Sequence, residues 1–123
     1  MTRLILAAIA LALALPPPAR AITQTTPGEM LVLPLDIAIV TTGGVAVTAL
    51  NVGHRSAGGW IANPIGAITP LCINEAGTAA GTVSAGSVTC IAPGQSYSLV
   101  ASNGPVSVVA SDASHPFSGY GFQ

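Results

Sequence analysis

The chain has 123 residues with only three arginines, no lysine and four acidic side chains, which bounds it to one small, nearly uncharged domain. So few cations exclude the basic footprint that nucleic-acid binding needs, and equally a patch that would recruit anionic lipid. The surface must be built instead from hydroxyls, backbone amides and glycine.

Residues 1–21 read as a secretory signal. Arg3 supplies the positive start, residues 4–15 are an unbroken apolar run, and Pro16, Pro17 and Pro18 end it before a small-x-small site at Ala19, Arg20 and Ala21. Twelve apolar residues rise only about 18 Å as a helix, short of the ~30 Å hydrocarbon core, so cleavage is expected rather than anchoring. The expected product is secreted or periplasmic, with no later membrane span. It comprises a polar leader, 22–29, and a β domain, 30–123. Arg55 is then the only cation, against Glu29, Asp36, Glu75 and Asp112, and twenty Ser and Thr residues carry the polarity.

Glycine and proline cut this domain into pieces of at most ten residues, rich in Val, Ile, Thr and Leu. That spacing suits strands and is too short for ordinary helices. Strands are predicted at 35–40 and 45–50, separated by Gly43-Gly44, then at 59–63, 71–74 and 87–92. Gln95 to Ala101 follows a Pro93-Gly94 turn, with Tyr97 and Leu99 inward and Ser96 and Ser98 outward. Asn103-Gly104 reads as a hairpin turn into 106–110, and a last strand covers 117–122. About eight strands at this spacing predict an all-β fold, a small antiparallel sandwich or barrel. The small-residue stretch 77–86 is expected to be a flexible surface loop.

Few residues could carry chemistry. Cys72 and Cys90 are expected to form one disulfide in an oxidising compartment, in preference to two buried thiols or a nucleophile. They have no histidines close by in sequence to complete a zinc site. His54 reads as an exposed turn residue. His115 follows Asp112 at the i+3 spacing an orienting carboxylate could use, but no GxSxG elbow accompanies it, so both are expected in a polar turn. Asp36 and Glu75 would make a glycosidase acid pair only if folding juxtaposed them, and an edge-strand role is expected for Asp36. No phosphate-binding loop, metal motif or cofactor motif is present. The chain reads as no enzyme.

Trp60, Tyr120 and Phe122 are the residues that could anchor a binding surface. Trp60 is expected mainly as a core residue, and the terminal SGYGFQ as a strand completing its own sheet.

The segments GGWIANP (58–64), LCINEAGTAAGT (71–82), IAPGQSYSL (91–99), NGPVSVVAS (103–111) and HPFSG (115–119) resemble small β-rich head-decoration or fibre-like domains of phages and prophages. The likeness implies a β fold and a non-catalytic assembly role, and carries over no functional residue. The expected function is an exported structural or surface-association module. Its partner would be itself or another envelope or extracellular protein. The alternative is a domain binding a neutral glycan or envelope component.

Overall fold

The structure is a computed structural model, and it describes residues 30–81 and 88–123. The signal segment, the polar leader, positions 82–86 of the small-residue loop and the first residue of the strand predicted at 87–92 lie outside the described residues. No helix occurs among those described. Ten strands do: β1 Val32–Pro34, β2 Ile39–Val40, β3 Val47–Leu50, β4 Gly59–Ala62, β5 Leu71–Asn74, β6 Val88–Ile91, β7 Ser96–Leu99, β8 Val106–Ala110, β9 His115–Pro116 and β10 Ser118–Phe122. All pairings are antiparallel. A first sheet has the order β1-β10-β4-β7, a second has β3-β8-β5-β6, and β2 pairs β9 as a short ribbon.

The two four-stranded sheets share one apolar core. Ile61 and Leu99 come from the first sheet, and Ala49, Leu50, Leu71, Ile73, Ile91, Val106, Val108 and Ala110 from the second, with Val40 and Phe117 beside them. The period-two reading of β7 agrees with this: Leu99 faces the core while Ser96 and Ser98 face solvent, and in β8 Val106 and Val108 face the core as well. Val109 points to the other face and joins Cys72, Ala79 and Val88 in a second, smaller cluster. Cys72 and Cys90 are directly opposed across β5 and β6 and form the disulfide. Closing that 18-residue separation stabilises the fold by roughly 3 kcal/mol in the chain-entropy account.

Four expectations are corrected. The strand foreseen over 35–40 survives only as β2, because the backbone bends at Asp36. The strand foreseen over 45–50 is shortened to β3, whose register shifts between Thr48 and Leu50, so Ala49 and Leu50 are both buried. Asn103-Gly104 does not close a hairpin: β7 belongs to the first sheet and β8 to the second, so this turn crosses between sheets. Asp112 and His115 are not a plain polar turn. Ser114 adopts a left-handed conformation (φ 56°), and the chain then re-enters the protein with His115 buried in β9.

Glycine decides one close approach. β10 lies between β1 and β4, with Tyr120 and Phe122 on one face and Gly119 and Gly121 on the other. A Cβ at Gly121 would overlap the carbonyl of His54, and one at Gly119 that of Trp60. The alternation in SGYGF thus records backbone contact inward and aromatic display outward. Gly121→Ala should destabilise by ~1–3 kcal/mol or more, whereas Gly66→Ala, with open space around it, should change little. Matching urea midpoints for the two variants would contradict this reading.

Candidate functional site

The described charged residues are paired within the chain. Arg55, in the loop between β3 and β4, is only 1% exposed. Its Nε donates to the Gly104 carbonyl at 2.9 Å and its Nη2 to the Glu75 carbonyl at 2.9 Å. Nη1 donates to Glu75 Oε1 at 2.7 Å and to the Val100 carbonyl at 2.6 Å. Glu75 is used again: Oε1 accepts the Val100 amide and Oε2 the Tyr97 hydroxyl. Burial, and then the bond to Glu75, hold the Tyr97 phenol above its ordinary range. Arg55 is the sole lysine or arginine among the described residues, so they present neither at their surface.

The Asp112–His115 pair has the orientation a catalytic base would use, with Nδ1 2.8 Å from Oδ1. The other ring nitrogen is taken. Asn63 Nδ2 donates to the carbonyls of Thr69 and Ile91, so its oxygen faces His115 and accepts from Nε2 at 2.9 Å. The oxygen of Asn63 therefore occupies the place a nucleophile would need, and the ring is 1% exposed. Thr69 Oγ1 also donates to Asp112. That bond, followed by the one from His115, holds the Asp112 carboxyl below its ordinary range. Both ring nitrogens face oxygen acceptors.

At the opposite end, His54 Nδ1 lies 2.9 Å from Asp36 Oδ2, and the same oxygen accepts the Asn51 amide. Asp36 thus fastens a loop rather than edging a strand. Asp36 and Glu75 bond to different partners and form no shared carboxylate site. Among the described residues, no three His, Cys, Asp or Glu side chains converge to hold a metal.

The three aromatic residues singled out in the sequence do come together. Tyr120 is opposed to Trp60 in the β10–β4 register, and their rings meet edge-on with centroids 5.5 Å apart. Phe122 is two residues along the same face, opposed to Val32 of β1. Trp60 is half-buried and lies outside the core, so its expected core role is corrected: the inward place on β4 belongs to Ile61. Around the aromatic pair stand Ser98, Ser96 and Ser118, with Ala62 and Pro34. Among the described residues, those that the register places on this face carry no charge. A hollow of about 240 Å³, lined in part by Pro34, Ser118 and Tyr120, adjoins it. Phe122 and Tyr120 are offered sideways from a strand paired on both edges, so β10 itself is closed to strand addition.

Sequence reading missed the burial of Arg55, His115 and Asn63. The scarcity of charge was the available signal: a lone arginine in a chain that uses Ser and Thr for its surface has an internal task.

The chain matches no family model, no curated protein and no solved structure, which leaves geometry as the ground for its function.

Two measurements check this account. Arg55→Ala should cost ~3–5 kcal/mol in equilibrium unfolding, because it strands the Glu75 carboxylate in a largely buried position; Arg55→Lys should recover only part, lacking the planar fork. For Asp112, the folded value lies below the unfolded one. Its contribution is complete above the unfolded carboxylate range and is lost as pH falls through the folded value. Stability should therefore decline on acidification below about pH 4, and Asp112→Asn should flatten that decline. An unchanged acid profile in the variant would assign the loss to other groups.

Proposed function

We propose that the chain is an exported, non-catalytic surface-association module, acting in the periplasm or outside the cell, whose contact face is the outer side of the first sheet. The observation that carries this reading is the placing of Trp60, Tyr120 and Phe122 on one uncharged face, with Tyr120 43% exposed. Aromatic anchors of this kind dominate association energetics, since a large rigid surface is desolvated with little loss of rotamer freedom. The partner is another exported or envelope protein. The disulfide is compatible with an oxidising compartment, and the described residues include no helix long and apolar enough to cross a membrane. The occupied Nε2 of His115 supports a role without catalysis. The likeness to phage decoration and fibre-like modules belongs to the same proposal, as an assembly role.

A second reading, a neutral glycan as ligand, is favoured by one feature: hydroxyls of Ser96, Ser98 and Ser118 border the aromatic pair, and the described residues of this face carry no charge. Apolar ring faces with flanking polar groups suit a polyhydroxylated ligand.

The test is co-sedimentation of the processed protein with envelope from the producing cell, beside a neutral-glycan array. Trp60→Ala with Tyr120→Ala should weaken envelope binding by about 2 kcal/mol or more, some 30-fold, with the folded state retained by circular dichroism at the assay temperature. Binding that survives the double substitution would remove this face from the function. A glycan signal lost in the same variant would select the second reading.

A further inference from the structure

Asn103-Gly104 has the composition of a tight turn, yet the usual reason for that composition is missing. A hairpin turn favours Asn-Gly because both central residues take positive φ. Here the pair lies in the crossing from β7 to β8, and neither residue adopts the left-handed conformation. Space does not demand the glycine either. A Cβ at Gly104 would meet Arg55 Nη2 and Ser102 Oγ at 3.5 Å, which is ordinary contact.

What the pair does have is reactivity. The backbone nitrogen that follows an asparagine can attack the side-chain amide, and glycine, without a Cβ, hinders that attack least. The chain has four asparagines, and three are poorly placed for it. Asn63 precedes Pro64, which has no N–H. Asn74 is buried, and its Nδ2 donates to the Thr78 carbonyl. Asn51 precedes Val52, whose branched side chain crowds the nitrogen. Asn103 is exposed, and Gly104 lies outside the strand ladders, its N–H donating to the neighbouring Ser102 hydroxyl at 3.1 Å. Backbone of this kind opens locally at little cost.

The surroundings give the reaction a consequence. The Asn103 carbonyl accepts the Gly53 amide at 2.8 Å, and the next carbonyl, of Gly104, accepts Arg55 Nε at 2.9 Å. The reactive link therefore runs between two fixed points, and one of them belongs to the Arg55–Glu75 clamp.

We propose that Asn103 is a site of spontaneous deamidation in the folded protein, and that its isoaspartyl product loosens the Arg55–Glu75 clamp. The Gly104 nitrogen gives up its proton to water and bonds to Asn103 Cγ. The Cγ–Nδ2 bond breaks, and Nδ2 leaves as ammonia. The chain has no lysine, so no side-chain amine competes with water to open the resulting succinimide. Water adding at Cγ gives aspartate. Water adding at the former main-chain carbonyl gives isoaspartate, in which the chain runs through Cγ and that carbonyl becomes a free carboxylate. Both routes exchange an amide and a water for an acid and ammonia, with no change of oxidation state. The isoaspartyl link is one carbon longer, so the bonds to Gly53 and Arg55 cannot keep their present spacing. A displaced Gly104 carbonyl leaves a buried guanidinium donor without its acceptor.

Incubation of the purified protein at mildly alkaline pH tests this, with conversion read by peptide mass spectrometry and by isoaspartyl methyltransferase labelling. Asn103 should convert more than an order of magnitude faster than Asn51, Asn63 or Asn74. The isoaspartyl form, separated by ion exchange, should unfold at a lower urea midpoint than unaged protein. Asn103→Asp, measured fresh, carries the charge without the longer link and should keep the wild-type midpoint. Asn103→Gln and Gly104→Ala should resist conversion and hold their midpoints through the same incubation, and either control suffices if the other folds poorly. Conversion at Asn103 no faster than at the other three overturns the proposal. So does an isoaspartyl form as stable as the unaged protein, or an equal loss of stability in Asn103→Asp. Ageing that proceeds unchanged in the resistant variants would assign the loss to another residue and likewise overturn it.

Discussion

The buried ion pair between Arg55 and Glu75 is the constraint on which the rest of this structure depends. Three connections meet there: the one carrying Arg55, the one beginning at Glu75 and the one spanning Val100 to Gly104. These connections join strands of both sheets, so the guanidinium fastens the first sheet to the second at one end. A hydrophobic core is non-directional and would tolerate some sliding of the sheets. A planar fork with fixed donors tolerates little. Desolvating the pair opposes folding, and four hydrogen bonds from the guanidinium offset that cost.

The opposite end is fastened by neutral and acidic groups around His115. Asn63 satisfies two carbonyls and orients the ring, while Asp112 and Thr69 take the other nitrogen. Every buried side-chain polar atom among the described residues has a partner, which is what a low-dielectric interior demands. Between these two polar ends the apolar core fills the space, and the disulfide pins β5 to β6 on the outer side of the second sheet. Most pairings are remote in sequence; only β5 and β6 are both consecutive and paired.

That remoteness explains what could be read in advance. The strands of the second half were legible because their alternation is local: Tyr97 and Leu99, or Val106 and Val108, declare a face without reference to any partner. The pairing was not legible, because Asn103-Gly104 has the composition of a hairpin turn while its flanking strands find partners in different sheets. Cys72 and Cys90 were readable as a bridge from compartment and number. His115 was misread, since the cue that it is buried is Asn63, 52 positions away. Arg55 was left without a place for the same reason, its four acceptors lying 20 to 49 positions on. The aromatic residues were identified singly, and only the β10–β4 register shows that Trp60 and Tyr120 share a face.

A surface built this way narrows how the molecule recognises anything. With the described cation buried and the described acids tied to His54, Arg55, Thr69 or His115, the described surface offers little for long-range steering or for specificity by charge pattern. Recognition must come from shape and apolar contact, which act only at short range and only when the contacting groups are held in place. The polar clusters meet that requirement. The Arg55 group fixes the loops at Glu75 and at Val100 to Gly104, and the His115 group fixes the β4–β5 loop that bears Ile65 and Ile68. Chemistry that looks catalytic when taken residue by residue is, in this fold, what makes an uncharged surface rigid enough to be selective.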